Sequence, residues 1–250
     1  MAGFLKRLAW PVLSIAVLLA LWSLAALAAD TRLLPGPSRV WEAFIAAVES
    51  GALVHNVAVT LARVGASFLV AMAIGGAIGL ALGRSPFGNR LFDPWLVLFL
   101  NLPALVVIIL CYVWFGLTET AAVTAVAVNK IPNVAVTIRE GARALDRDLL
   151  EMAQVYRFGW RRRLRHVVLP QLAPYVLAAA RSGLALVWKI VLVVELIGRS
   201  NGVGFELHAA FQLFDVATIL AYALAFTVVV QAIELGVLQP WEAALNRWRR

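Results

Sequence analysis

Four stretches of the chain run for at least eighteen residues without a charged side chain, long enough for a helix to cross a bilayer. They are residues 10–29, 64–82, 95–117 and 216–233. None alternates between apolar and polar residues, as a strand of a membrane barrel would. Because backbone groups in lipid must find hydrogen-bond partners inside the protein, helices are the remaining choice. The chain is therefore predicted to be an all-α membrane protein.

Two further apolar segments are interrupted by basic residues and bring the prediction to six transmembrane helices. Segment 121–138 contains Lys130, and segment 172–194 contains Arg181 and Lys189. The composition agrees with a membrane protein, since 62% of the residues are hydrophobic and only 14% are charged. Soluble domains average about 25% charged residues, so a soluble fold is excluded.

The first apolar segment has two interpretations. Lys6 and Arg7 precede it and Ala26-Leu27-Ala28 ends it, as in a cleavable signal peptide. However, its twenty residues exceed the usual core of a signal peptide, and further spans follow. A retained first helix is the favoured interpretation, and residues 1–250 are expected to form a single transmembrane domain.

The basic residues are distributed unevenly and indicate an orientation. With a cytoplasmic N-terminus, fifteen of the 22 Lys and Arg residues lie in cytoplasmic segments, eight of them between 139 and 165. Arg247, Arg249 and Arg250 belong to this set, whereas only Arg32, Arg39 and Arg199 lie outside. The positive-inside rule then places both termini in the cytoplasm. The net charge of +8 reflects topology and does not indicate nucleic acid as a partner.

No catalytic, metal or cofactor site is predicted. Cys111 lies alone in an apolar run, and the three histidines are far apart in the predicted topology. No Ser/His/Asp or Cys/His arrangement is evident. None of the three lysines follows a glycine-rich phosphate loop, so the chain is not expected to bind ATP itself.

The longest polar stretch, roughly residues 139–171, contains a short predicted helix. Asp146 is a suitable N-cap for a helix that extends to Tyr156, and Asp148 places negative charge at the positive end of the helix dipole. The helix can lie among lipid headgroups or dock into a groove of a cytoplasmic partner. Its apolar side is formed by Leu149, Leu150, Ala153 and Tyr156.

The same stretch carries a recognisable pattern. Glu151-Met152-Ala153 is followed by Leu169-Pro170, and this resembles the EAA loop of ABC importer permeases, which has Glu-Ala-Ala, a glycine four residues on and Leu-Pro about a dozen residues later. Arg157 occupies the position of the family's glycine. Gly159 lies two residues further on and is expected to supply the bend instead.

Other segments resemble the nitrate/sulfonate/taurine branch of these permeases in the same order along the chain. The usual paired prolines early in the third span are reduced to Pro103. The matching segments are 33–38, 56–64, 114–119, 193–196 and 202–204.

The resemblance implies a type I ABC importer permease fold with a cytoplasmic coupling helix between spans four and five. It implies a homodimer in the bacterial inner membrane, two ABC ATPase subunits that bind ATP–Mg, and an external solute-binding protein that delivers a small anion such as a sulfonate or nitrate. The residues it assigns to ATPase coupling are Asp146, Leu149, Leu150, Glu151, Met152, Ala153, Tyr156, Arg157 and Gly159.

Lys130 and Lys189 are predicted near the middle of the membrane. A charge at that depth costs about 2.5–3.5 kcal/mol, so each lysine should face a cavity or a partner. They could line an electropositive pathway for an anion, or form a buried ion pair with Glu195 or Glu234.

Arg181, Trp188 and Glu195 recur every seven residues and share one side of the fifth helix. With the two lysines they complete the candidate pathway, although packing against another helix is the alternative. Two rivals to an importer subunit are a secondary transporter or channel that needs no ATPase, and a membrane enzyme.

Two other clusters have structural explanations. Gly75, Gly79 and Gly83 give the second span a flat side for close helix packing, within or between chains. The arginines at 161–163 and Arg165 could bind anionic membrane lipid, hold the topology or contact the ATPase.

Overall fold

The computed structural model describes residues 2–29, 31 and 33–240. Within this part of the chain eleven α-helices follow one another and no residue lies in a strand. Arg32, Arg247, Arg249 and Arg250, which entered the orientation argument, lie outside the described residues. The helices are α1 (Ala2–Ala29), α2 (Pro37–Glu49), α3 (Ala52–Arg84), α4 (Pro86–Asn101), α5 (Ala104–Phe115), α6 (Glu119–Arg143), α7 (Arg147–Val155), α8 (Trp160–Arg163), α9 (Leu169–Gly198), α10 (Val203–Gln212) and α11 (Val216–Ile233).

Five helical segments of the described chain are long and apolar enough to cross a membrane. They are α1, α3, α6, α11 and the continuous segment Trp160–Gly198, in which a π-helical turn at Leu164–Val168 joins α8 to α9. The predicted first, second, fourth, fifth and sixth spans each correspond to one of these. The all-α membrane fold is confirmed.

The third predicted span is not one helix. α4 and α5 pass the same test only together, and they meet at a bend of 95°. Pro103 cannot donate a backbone hydrogen bond, and Leu102 before it adopts an extended ψ of 127°. The expectation of an uninterrupted helix over 95–117 is therefore wrong, because a run without charges does not guarantee a continuous helix.

The two ends of the bundle carry different short helices. The α7 end is where α3 and α6 finish and α9 begins, and it carries α7. The α10 end is where α6 begins and α9 finishes, and it carries α10. The main hydrophobic core lies toward the α10 end and includes Ile108, Val126, Val191 and Val203.

α3 and α6 pack along the predicted glycine stripe, within one chain. A Cβ atom added at Gly75, Gly79 or Gly83 would lie less than 3.0 Å from a backbone oxygen of α6. The glycines therefore allow the two backbones to approach more closely than any side chain would permit. This settles the open question of whether the stripe packs within the chain.

Replacing Gly79 with alanine should destabilise the protein by about 1–3 kcal/mol, because the added methyl group forces α3 away from α6. The matched control is Gly76→Ala in the same helix, where a Cβ meets nothing within 4 Å. That variant should be neutral or slightly more stable, since alanine favours a helix. Denaturant unfolding of the purified protein in detergent measures both, and equal midpoints for the two variants would contradict the packing role.

Candidate functional site

α7 is fixed to the bundle at its first turn. The Asp146 carboxylate accepts hydrogen bonds from the backbone N–H groups of Asp148 at 2.8 Å and Leu149 at 3.3 Å, which is the predicted N-cap. The backbone N–H of Asp146 donates to Oε1 of Gln171 at 2.8 Å. Because Gln171 belongs to α9, the start of α7 is tied to a membrane-spanning helix.

The apolar residues of α7 point in two directions rather than one. Ala153 is 1% exposed, and Leu150 is half-buried against a cluster that includes Leu145 and Leu172. Leu149 and Tyr156, predicted on the same side as these, are exposed instead. We define the exposed face of α7 as its solvent-facing apolar side chains, Leu149, Met152, Val155 and Tyr156.

Arg157, and not Gly159, forms the turn that ends α7. Arg157 has a φ of +50°, in the left-handed region, whereas Gly159 has an ordinary φ of −60°. The Arg157 N–H donates to the Gln154 carbonyl and the Phe158 N–H to the Ala153 carbonyl, both at 2.9 Å. This pair of bonds is a Schellman motif, which needs a left-handed residue at the first position after the cap. The prediction that Gly159 supplies the bend is wrong.

Glycine at position 157 should stabilise this turn. The variant Arg157→Gly is expected to be about 1 kcal/mol more stable than Arg157→Ala, because an L-residue with a side chain pays a steric cost at φ of +50° that glycine does not. Comparing glycine with alanine separates the backbone effect from the loss of the arginine charge. Unfolding midpoints of the two purified variants provide the measurement, and an alanine variant as stable as the glycine variant would contradict it.

A buried ion pair joins α3 to α9 at the α10 end. Nη1 of Arg63 lies 2.7 Å from Oε1 of Glu195, and the two side chains are only 4% and 0% exposed. Oε2 of Glu195 accepts hydrogen bonds from the Thr60 hydroxyl and the Gly204 N–H, both at 2.9 Å. Every oxygen of the buried carboxylate is therefore satisfied, which is what makes a charge tolerable at this depth.

Glu119 and Arg199 extend this pair into a cluster with balanced charge. Glu119, at the start of α6, accepts from Nε and Nη2 of Arg63 at 2.9 and 2.7 Å. Arg199 donates to the same carboxylate at 2.5 Å, and the Asn201 carbonyl accepts from Arg63 at 2.8 Å. We call Arg63, Glu119, Glu195 and Arg199 the charge cluster.

The start of α10 is held by α3 side chains beside the charge cluster and by Glu195 of the cluster itself. The first N–H groups of a helix have no partner within it, and here they bond to α3 and α9. Gly202 donates to Oδ1 of Asn56 at 2.7 Å, and Val203 donates to the Thr60 hydroxyl at 2.9 Å. Gly202 has a φ of +105°, and a Cβ there would collide with the Glu195 carboxylate. The turn at 199–202 is thus built around the buried glutamate.

The two mid-span lysines have different surroundings. Lys130 is 1% exposed, and its Nζ donates to Oδ1 of Asn133 at 3.1 Å. It lies against Gly183, where a Cβ would come within 2.7 Å of its Cε. Lys189 is exposed on α9, and no carboxylate of the described residues pairs with either lysine.

Of the other pathway candidates on α9, Trp188 is buried and Arg181 is exposed. Trp188 is 7% exposed and meets Phe226 edge to face, with ring centroids 6.3 Å apart. The Arg181 side chain is half exposed, and its Nη2 lies 3.6 Å from Oε1 of Glu234. The shared helical side of Arg181, Trp188 and Glu195 is therefore open at one end and buried at the other. Of the two alternatives for the lysines, the ion pair with Glu195 or Glu234 is wrong, since Arg63 contacts Glu195 and Arg181 contacts Glu234.

Comparison with known proteins identifies this architecture. The family described as "Binding-protein-dependent transport system inner membrane component" matches residues 71–237, which include the coupling loop and both mid-span lysines. The chain belongs to this family. It is a multi-pass membrane permease, a transport subunit and not an enzyme, as predicted from the loop pattern.

Individual relatives and a solved structure agree with the family. The permease is 32% identical over 83% of its length to a putative aliphatic sulfonates transport permease protein of Escherichia coli (strain K12), covering 81% of that protein. It is 29% identical over 99% of its length to a protein of the same description from Bacillus subtilis (strain 168), covering 88% of it.

The solved structure is a crystal structure of an amino acid ABC transporter with histidines. Its match has a TM-score of 0.57 at 20% identity and covers 82% of the permease and 96% of that chain. At this identity the likeness concerns the fold, which is that of a type I importer permease.

The permease thus keeps its predicted coupling residues in one place. All of them lie on α7, at its N-cap Asp146 or on the turn that follows it, at the α7 end. Lys189 and Arg181 are exposed, and we call the part of α9 that they occupy its open side, whereas Lys130, Trp188 and Glu195 are buried within the subunit. Among the described residues no group of three or more His, Cys, Asp or Glu side chains could hold a metal ion.

Sequence reasoning gave no role to Arg63 and Glu119, which form the charge cluster together with Glu195 and Arg199. Both lie within segments 56–64 and 114–119, which were compared with the family only as patterns. The signal that could have found Arg63 is its position directly before an uncharged run of nineteen residues. A charge there must be buried with a partner or reach the membrane surface.

Proposed function

We propose that this permease imports a small sulfonate-like anion as a homodimer, with its single transmembrane domain in the bacterial inner membrane. Two ABC ATPase subunits, which hold ATP–Mg, dock on the exposed face of α7, and an external solute-binding protein delivers the anion at the α10 end. Both termini are cytoplasmic. The aliphatic sulfonate transport described for two relatives supports the substrate class.

The exposed face of α7 is the observation that carries the proposal. Val155 is 79% and Tyr156 71% exposed on a helix whose opposite side is anchored by Ala153 and Gln171. Large apolar side chains that lie together on an exposed surface mark a protein contact. A helix with its apolar face outward fits a groove of a partner, and the anchored side can transmit the partner's movement to α9.

The open side of α9 supports an anionic substrate. Lys189 is exposed between Leu186 and Val193, which are 45% and 39% exposed. A second copy packed near this side would enclose the lysine in a low-dielectric pathway, where a cation attracts an anion strongly.

Reconstitution tests the whole proposal. The permease is placed in proteoliposomes with candidate ATPase and solute-binding subunits, and uptake of a labelled alkanesulfonate is followed with and without ATP. Uptake that requires ATP, the binding protein and the ATPase is expected. Uptake that proceeds without an ATPase would support a secondary transporter and overturn the proposal.

Replacing Lys189 with methionine should lower anion uptake about tenfold or more without reducing assembly, since a hydrogen bond to a charged group contributes about 1.5–3 kcal/mol. Lys189→Arg, which keeps the charge, should retain most of the uptake. The initial rate in the same proteoliposomes is the measurement, with co-purified ATPase as the measure of assembly. Normal uptake by Lys189→Met would remove this lysine from the pathway.

A further inference from the structure

A basic pocket lies at the α7 end, apart from both the exposed face of α7 and the open side of α9. Its volume is about 300 Å³. Arg84, the last residue of α3, and Arg163, the last residue of α8, supply its two charges. The remaining lining side chains are Phe158, Trp160, Leu164 and Val168.

Neither guanidinium group of this pocket is paired with a carboxylate of the described residues. Nε of Arg163 is buried without a hydrogen-bond partner among the described residues, and neither Arg84 nor Arg163 forms an ion pair with any of them. Other arginines at the same end are paired. Nε of Arg139 and Nη1 of Arg143 each lie 3.2 Å from Oε1 of Glu140. A buried donor without a partner costs free energy, so the pocket is suited to an anionic ligand.

The residues around the pocket are typical of the boundary between membrane and water. Trp160 is 71% exposed at the start of the continuous segment that crosses the membrane, and tryptophan favours the headgroup level. Arg161 lies over the Trp160 ring at 5.2 Å and Arg162 over the Phe158 ring at 4.3 Å. The two aromatic side chains thus hold further positive charge beside the pocket.

We propose that this pocket binds the phosphate headgroup of an anionic phospholipid. Guanidinium groups form paired hydrogen bonds with phosphate oxygens, and Arg84 and Arg163 supply two of them. Leu164 and Val168 offer an apolar wall to the glycerol and upper acyl region. Basic pockets between membrane helices on the cytoplasmic side are suited to such headgroups.

The position of Phe158 links this lipid to coupling. Phe158 lines the pocket, and its backbone N–H also closes the Schellman motif at the end of α7. A lipid seated there contacts the residue that fixes the end of the coupling helix. Lipid binding itself depends only on the permease and is independent of the proposed substrate and ATPase.

The test measures lipid binding to the purified permease in detergent. Thermal unfolding midpoints are recorded with increasing phosphatidylglycerol, with phosphatidylcholine and with inorganic phosphate. The pocket variant is Arg84→Gln/Arg163→Gln. The control is Arg90→Gln/Arg165→Gln, which removes the same charge from two exposed arginines of the α7 end that do not line the pocket.

Phosphatidylglycerol should raise the unfolding midpoint of the wild type. The pocket variant should need about 30-fold more of it for the same rise, since each arginine near the surface contributes about fivefold to the affinity. The amount of phosphatidylglycerol that the control variant needs should change by less than about threefold. Phosphatidylcholine should not raise the unfolding midpoint. The variant Arg84→Lys/Arg163→Lys, which keeps the charge, should retain part of the response to phosphatidylglycerol. That result would show that the fold tolerates substitution at both positions.

Three results would overturn the proposal. Equal losses in the pocket and control variants would mean that lipid binds the arginine belt without a defined site. Stabilisation by inorganic phosphate as strong as that by phosphatidylglycerol would make this a site for a soluble phosphate. A phosphatidylglycerol response that the pocket variant keeps in full, joined to a loss of ATPase binding, would mean that Arg84 and Arg163 pair with acidic side chains of the ATPase.

Discussion

Replacing Arg63 with methionine should lower the free energy of unfolding by about 3–5 kcal/mol, the largest single-residue effect on stability that we expect. The substitution leaves Glu195, which is 0% exposed, with hydrogen bonds from Thr60 and Gly204 but without a counter-charge. It also frees the turn that begins α10, because Asn201 loses its bond to Arg63. Denaturant unfolding of the purified permease in detergent is the measurement.

A double variant separates the loss of the ion pair from the loss of packing. Arg63→Met/Glu195→Met removes both buried charges and should recover much of the stability lost by Arg63→Met, since an apolar pair of similar volume often replaces a buried ion pair without great cost. Glu119 keeps Arg199 as a partner in both variants. The matched control is Arg90→Met, an exposed arginine of α4, which should change stability by less than about 0.5 kcal/mol.

Two outcomes would contradict this account. If Arg63→Met unfolds at the same denaturant concentration as the wild type, the buried pair does not stabilise the fold. If the double variant is no more stable than Arg63→Met alone, an unpaired glutamate is not the reason for the loss. Neither outcome depends on the identity of the substrate.

The charge cluster shows what local sequence patterns can and cannot predict. Hydropathy placed Arg63 at the edge of a span because the uncharged run begins at the next residue. Its partner Glu195 is 132 positions away, and only the packing of α3 against α9 brings the two together. The family pattern included both segments, but a pattern match does not show which residues touch.

The third span and the coupling loop also show which features local sequence can predict and which it cannot. The absence of charge over 95–117 predicted a span but could not fix its geometry, which Pro103 determines by bending the chain. The N-cap Asp146 was predictable because the bond it makes is local, to residues two and three positions away. The division of the apolar side of α7 was not predictable, because it depends on which residues the π-helical turn at Leu164–Val168 and the start of α9 cover.

The exposed face of α7 should be essential for binding the ATPase. The variant Leu149→Asp/Met152→Asp is expected to weaken co-purification of the permease with its ATPase by at least about 100-fold, since side chains at the centre of an interface contribute about 2 kcal/mol or more each. Both residues are exposed, at 42% and 36%, so the permease itself should remain folded. Co-purification from detergent-solubilised membranes that contain both subunits is the measurement.

Phe87→Asp supplies the matched control for this prediction. Phe87 is 78% exposed and lies in the first turn of α4, also at the α7 end, so the same kind of substitution is made outside α7. It should leave ATPase binding within about threefold of the wild type, because a residue outside an interface contributes little to affinity. Equal binding by the Leu149→Asp/Met152→Asp variant and the wild type would show that α7 is not the docking helix. An equal loss in the Phe87→Asp variant would show instead that any acidic residue at this end repels the ATPase, and the coupling role would then have to be assigned elsewhere.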